Sequence, residues 1–225
     1  IIACKKSSTS NNTTNNPQVP AVFSKFSSTV TISTEGDNVV LKTNGLPDHK
    51  SPYYQGTAWA ATLYEAYNGT NTNFAINPNR IASQNLVFKI PLNPTAATTH
   101  AATGLGPIGI SVNGVPLFNQ YAGPSQPLTS EINSFDQYNG HPQVSGQYHY
   151  HVEPLYLTTL KGKSALMGFL LDGFPVYGPM ENGVVLTTSN LDAYHGHTSA
   201  TAEYPNGIYH YHFTADAPYL NGSGY

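Results

Sequence analysis

From Phe23 to Lys42, β-branched and apolar residues alternate with polar ones, and Glu35-Gly36-Asp37-Asn38 breaks the alternation near its middle. A period of two around a turn signal predicts two strands joined by a tight turn. Leu46-Pro47-Asp48-His49 begins a loop. Trp59, Leu63 and Tyr67 then recur at helical spacing, which predicts a short helix within residues 57–67, ended by Asn68-Gly69. A further strand is expected over residues 81–90, closed by Pro91. Ile108, Ile110 and Val112 alternate ahead of Asn113-Gly114, a hairpin signal. Residues 164–172 and 184–187 read as buried strands. No long amphipathic helix is expected. Many short strands between frequent turns predict an all-β, sandwich-like fold with long loops, few short helices and an internal pseudo-repeat.

The pseudo-repeat rests on one pattern that occurs twice. Asp136-Gln137-Tyr138-Asn139-Gly140-His141 is followed, after a short loop, by Gly146-Gln147-Tyr148-His149-Tyr150-His151. Asp192-Ala193-Tyr194-His195-Gly196-His197 is followed by Gly207-Ile208-Tyr209-His210-Tyr211-His212. In a strand, residues i and i+2 share a face. His149 and His151 therefore project together, as do His210 and His212, and their tyrosines turn toward a core. His141 and His197, each after a glycine at a loop end, are candidate third ligands. Three imidazoles with an open position are a common arrangement of zinc and copper sites. Asp136 and Asp192 are placed to accept the far ring proton of a ligand histidine. His195 is left out, because Asn139 holds its place in the first copy. His100 lies outside every motif and reads as a surface residue.

Composition narrows the function classes. Only 9% of the 225 residues are charged, against roughly 25% in an average soluble protein. The formal net charge is -3, so no basic footprint for nucleic acid is present. There are nine histidines, and Cys4 is the single cysteine, which excludes an intrachain disulfide or a cysteine-based zinc knuckle. Ile1-Ile2-Ala3-Cys4 resembles the cleavage site of bacterial lipoproteins, and residues 5–18 are Ser, Thr and Asn almost throughout. Residues 1–18 are thus expected to be a lipobox remnant and flexible tether lipidated at Cys4, and residues 19–225 a single β domain. The partner this implies is a membrane reached through the lipid anchor, and the location a bacterial outer membrane. A G-x-S-x-G elbow and a P-loop are both absent.

The two Tyr-His-Tyr-His strings, together with Leu171-Asp172-Gly173-Phe174-Pro175-Val176-Tyr177-Gly178-Pro179, resemble the bacterial YHYH domain family. Ile110-Ser111-Val112-Asn113-Gly114-Val115-Pro116 and Asn44-Gly45-Leu46-Pro47-Asp48-His49 also look like segments of that family. The resemblance implies an exported protein, often a lipoprotein, and nominates His49 as a ligand and Asp172 as an orienting carboxylate. Members often carry Cys near the Gly-His of the second motif. Tyr194 and His195 stand there in this chain, so a thiolate role is lost. Three functions are compatible with these features. The first is an envelope lipoprotein binding copper, or next zinc, through two His-x-His clusters. The second is a metal-dependent enzyme using a three-histidine site. The third is a non-catalytic accessory subunit of an outer-membrane complex.

Overall fold

The computed structural model describes residues 17–221. Cys4, the lipobox remnant and most of the expected tether lie outside the described residues. Among the described residues, no helix is long and apolar enough to cross a membrane. The fold is mostly β-sheet with few short helices, as the alternating pattern predicts.

A three-stranded antiparallel sheet is built from β1 (Thr31–Glu35), β2 (Asn38–Thr43) and β3 (Leu86–Pro91), in that order. The expected turn at Glu35–Asn38 is present, with Glu35 facing Asn38 across it. The chain before it is not extended from Phe23. Ala21–Lys25 is a 3-10 turn whose Phe23 is buried and stacks on Phe169 at 4.8 Å. The expected helix shrinks to α1, Ala60–Leu63. Tyr67 leaves the helical path to stack on Phe74, with ring centroids 3.8 Å apart. The strand expected from Ile81 begins only at Leu86, because the amides of Ile81 and Ala82 bond to Tyr53 O and Gly146 O in other segments.

The remaining strands are β4 (Pro107–Ser111), β5 (Pro116–Phe118), β6 (Tyr121–Ala122), β7 (Gln126–Pro127), β8 (Gly140–Pro142), β9 (Tyr148–Tyr150), β10 (Leu166–Leu170), β11 (Pro175–Tyr177), β12 (Met180–Glu181), β13 (Val184–Val185), β14 (Gly196–Ser199) and β15 (Ile208–His212). A helix not foreseen in the sequence, α2 (Leu155–Lys161), follows β9 and buries Leu157 and Thr158. β6 pairs with β7 and β12 with β13 as two small hairpins.

The other eight strands form one sheet in the order β14-β15-β11-β10-β4-β5-β9-β8. The order is a palindrome in structural terms. From the centre outward, each half has a hairpin (β4-β5 or β10-β11), a strand parallel to its second arm (β9 or β15) and an antiparallel edge strand (β8 or β14). The repeat is therefore longer than the histidine motif. Asn113-Gly114-Val115-Pro116-Leu117-Phe118-Asn119 corresponds to Asp172-Gly173-Phe174-Pro175-Val176-Tyr177-Gly178. The halves meet at the β4–β10 pairing, where Ile110 faces Phe169. Gly109 and Gly168 flank that pair at equivalent positions, and a Cβ on either would run into the partner strand's carbonyl. Such a close approach needs glycine. Val39, Leu41, Phe88 and Ile90 of the smaller sheet share one core with Ile110, Leu117, Phe169 and Val176 of the larger.

Candidate metal centres

Each half of the sheet builds one histidine group, and strand register places the ligands. On β8 and β9, His141 stands directly opposite His149. On β14 and β15, His197 stands opposite His210. The third histidines thus sit in the ladder itself, not in loops that swing in. His151 and His212 follow two residues on and share the face of their neighbours. The tyrosines between them turn to the opposite face. Tyr148, Tyr150 and Tyr211 are wholly buried there and Tyr209 nearly so.

The rest of the motif holds this geometry. Asp136 Oδ1 accepts from the Tyr138 and Gly140 amides, and its Oδ2 accepts from the Tyr148 hydroxyl at 2.8 Å and the Ser51 hydroxyl at 2.6 Å. Asp192 accepts from the Tyr194 and Gly196 amides and from the Tyr209 hydroxyl at 2.9 Å. A Cβ on Gly140 would collide with the Tyr148 ring and one on Gly196 with the Tyr209 ring. Glycine ahead of the third histidine is therefore the condition for the first tyrosine to cross the turn. The residue before that glycine takes a positive φ, 66° at Asn139 and 73° at His195.

The first group is His141, His149, His151 and Glu131, and the second is His197, His210, His212 and Glu181. Within each, one ligand atom per residue lies within 4.8 Å of every other. His149 Nε2 is 3.1 Å from His141 Nε2 and 3.0 Å from His151 Nε2. His212 Nε2 is 3.3 Å from His197 Nε2. Glu131 Oε1 is 3.3 Å from His141 Nε2, and Glu181 Oε2 is 3.2 Å from His197 Nε2.

The far ring nitrogens fix the tautomers. His149 Nδ1 faces Gln147 O at 3.2 Å, His151 Nδ1 faces Asn119 O at 2.6 Å, His210 Nδ1 faces Ile208 O at 2.9 Å and His212 Nδ1 faces Gly178 O at 2.8 Å. A carbonyl only accepts, so each Nδ1 carries the proton and each Nε2 turns a lone pair inward. His141 follows the same logic. Its Nδ1 is 2.7 Å from Ser134 Oγ, whose single proton is donated to Glu131 O. Facing lone pairs at such distances repel unless a cation lies between them. Metal–nitrogen bonds of about 2.0–2.1 Å in a tetrahedral site separate two ligand nitrogens by about 3.3 Å, close to the observed spacing. His210 Nε2 adds an orphan, a buried ring nitrogen with no hydrogen-bond partner. The donor sets fit a divalent transition metal.

Electrostatics favours the same state. Burial pushes the His149 imidazole well below its ordinary range, and lowers His151 and His212 to about 4. His210 is lowered too, again chiefly by burial. These rings stay neutral, hence able to ligate, far below neutral pH. The His141 ring, 3.3 Å away, holds the Glu131 carboxyl below its usual value. At Glu181 burial pulls upward, but the Ser199 hydroxyl and His197 outweigh it and leave the carboxyl lowered. Phe118 stacks on His149 at 3.9 Å and limits its rotation.

The repeats thus make two separate groups rather than one joint site, and they contain six of the seven histidines named from sequence. His49 is placed elsewhere. Its Nε2 meets the Tyr150 hydroxyl at 2.9 Å and its Nδ1 meets Lys50 O at 3.0 Å, so it belongs to the tyrosine side of β9. His149, His151, His210 and His212 direct their Nδ1 protons to backbone carbonyls and not to Asp136, Asp192 or Asp172. Asp172 accepts from the Tyr211 hydroxyl at 2.6 Å and closes a turn onto the Phe174 amide. The reason is geometric: the carboxylates lie on the tyrosine face, and backbone carbonyls of neighbouring strands take the imidazole protons instead. His195, left out of the ligand set, bonds to the Thr214 hydroxyl at 2.9 Å. His100 is half-buried against Tyr194, with ring centroids 4.1 Å apart.

Glu131 and Glu181 were not foreseen. Glu131 opens a 3-10 turn, Glu131–Ser134, whereas Glu181 ends β12, so no shared spacing marks them. One signal was available. Each is the sole acidic residue between the second arm of its central hairpin and the aspartate of its motif.

Compared with known proteins, the chain matches no curated protein and no solved structure. Residues 87–183 and 180–223 match the family described as YHYH protein, two stretches that meet between β11 and β14, inside the second half of the central sheet. With more than half its length matched, the chain belongs to the YHYH protein family.

Proposed function

We propose that this protein is a cell-envelope lipoprotein that binds two transition-metal ions, one in each half of its central sheet, with copper preferred over zinc. The observation that carries the reading is the paired His₃Glu arrangement, with the ligand nitrogens turned inward by backbone carbonyls. The donors are imidazole and carboxylate with no thiolate, and for such ligands the affinity order places Cu(II) above Zn(II). The lipoprotein part rests on Ala3-Cys4 and the polar residues after it. A diacylated Cys4 would hold the domain at an outer-membrane surface without a spanning segment. A metal-dependent enzyme is the second reading, favoured by one feature: a cavity of about 850 Å³ lies over the first group.

The test is a Cu(II) titration of metal-free protein beside two double variants. Wild type should take up two ions. His149→Ala with His151→Ala should abolish uptake at the first site, and His210→Ala with His212→Ala at the second, each leaving one ion bound. Zn(II) in equal amount should fail to displace Cu(II). Variants that keep full copper stoichiometry while correctly folded would defeat the proposal.

A further inference from the structure

We infer that the cavity over the first group is a binding site for an uncharged, polyhydroxylated molecule, a saccharide of one or two rings, which sets an oxygen on the metal ion. The inference rests on the proposed metal at that group. All four of its residues line the cavity, while none of the second group does. This cavity therefore reaches the first ion and not the second, although the strands that hold them correspond.

The lining chooses the ligand class. The volume of about 850 Å³ falls within the roughly 300–1,000 Å³ of small-molecule sites. No lysine or arginine lines it, and Glu131 is its sole carboxylate. Apart from the ion itself, a phosphate or carboxylate ligand would find no cationic side chain to pair with, and a cationic one would meet the ion's own charge and a single acidic group already turned toward His141. A fatty chain would need a continuous apolar wall. Instead, the side-chain amides of Asn77, Asn79, Gln126 and Gln143 share the lining with apolar Leu105, Phe118 and Val144. That mixture suits a sugar ring, which offers C–H faces to apolar atoms and hydroxyl edges to hydrogen-bonding groups. Two of the amides are fixed in advance. Asn77 and Asn79 both donate to Pro142 O, at 3.1 and 3.2 Å, which ties this wall to the strand bearing His141. A bound hydroxyl oxygen would join three nitrogens and the Glu131 carboxylate without displacing any of them.

The test uses the whole chain loaded with Cu(II), with cellobiose, maltose and N,N′-diacetylchitobiose as neutral probes and glucuronic acid as the charged control. At least one neutral disaccharide should shift the electron paramagnetic resonance signal of one of the two ions, and to metal-free protein, where no ion can pair with its carboxylate, glucuronic acid should bind at least tenfold more weakly than that disaccharide. Thr129→Trp and Val144→Trp, both at exposed positions on the cavity wall, should keep both ions and weaken the sugar at least tenfold. No shift with any disaccharide, equal affinity of metal-free protein for glucuronic acid, or full affinity in both tryptophan variants would overturn the inference. Calorimetry of the sugars with metal-free protein separates the two readings. If copper never binds but a disaccharide does, and Thr129→Trp abolishes it, the metal assignment fails and the cavity assignment stands.

Discussion

Asp136→Ala should cost the protein about 3–5 kcal/mol of stability, whereas Asp192→Ala should cost only about 1 kcal/mol. The two aspartates hold the same place in the repeat, so the contrast isolates environment from motif. Asp136 is 2% exposed and satisfies four donors: the Ser51 and Tyr148 hydroxyls and the Tyr138 and Gly140 amides. Removing its carboxylate strands all four inside the fold, where an unmade hydrogen bond carries its full desolvation cost. Asp192 is exposed, so water replaces most of what it accepts. Urea denaturation of metal-free variants reads the difference as a shift in midpoint. Equal shifts would mean that the turn conformation, and not the buried carboxylate, holds the first tyrosine in place.

The second large effect is acid sensitivity of the metal-free protein. His151, His195 and His212 are lowered to about 4 by burial, and His49, His149 and His210 are lowered as well. In the unfolded chain these rings titrate near 6.5. Below that pH the unfolded state takes up protons that the folded state resists, so stability rises with pH through the window. It should be fully present above about pH 6.5 and fall by several kcal/mol toward pH 4. The lowered carboxyls of Glu131 and Glu181 extend the loss in the same direction at still lower pH. Metal held by the neutral rings should move the acid-unfolding midpoint downward, because the ion binds the folded state alone. Thermal melts from pH 4 to pH 7.5, with and without Cu(II), measure this. A flat profile for metal-free protein would show that these histidines are not buried as neutral rings.

The residues that carry these effects were unequally visible in the sequence. Alternation in Tyr-His-Tyr-His is a direct readout of strand geometry, so the shared face of His149 and His151 needs only the period of two. The place of His141 needs register as well, which follows once Gly140–Pro142 pairs with Tyr148–Tyr150. Glu131 and Glu181 escaped because each half reaches its carboxylate by a different route, a 3-10 turn in one and a hairpin strand in the other. The repeated central hairpins were hidden for another reason. Their common residues are apolar types that exchange freely in a core, as Leu117 and Phe118 do for Val176 and Tyr177. Helix α2, with seven residues, spans too few turns to show a period. The histidine ligands were legible because their chemistry tolerates no substitute, whereas the elements positioning them are specified by volume and long-range pairing.

One measurement bears most directly on the claim that each copy of the motif builds its own metal site. Elemental analysis combined with native mass spectrometry, on protein isolated from its native host without chelators, should find two transition-metal ions per chain, predominantly copper. Protein that is metal-free as isolated, and that takes up neither copper nor zinc afterward, would contradict it.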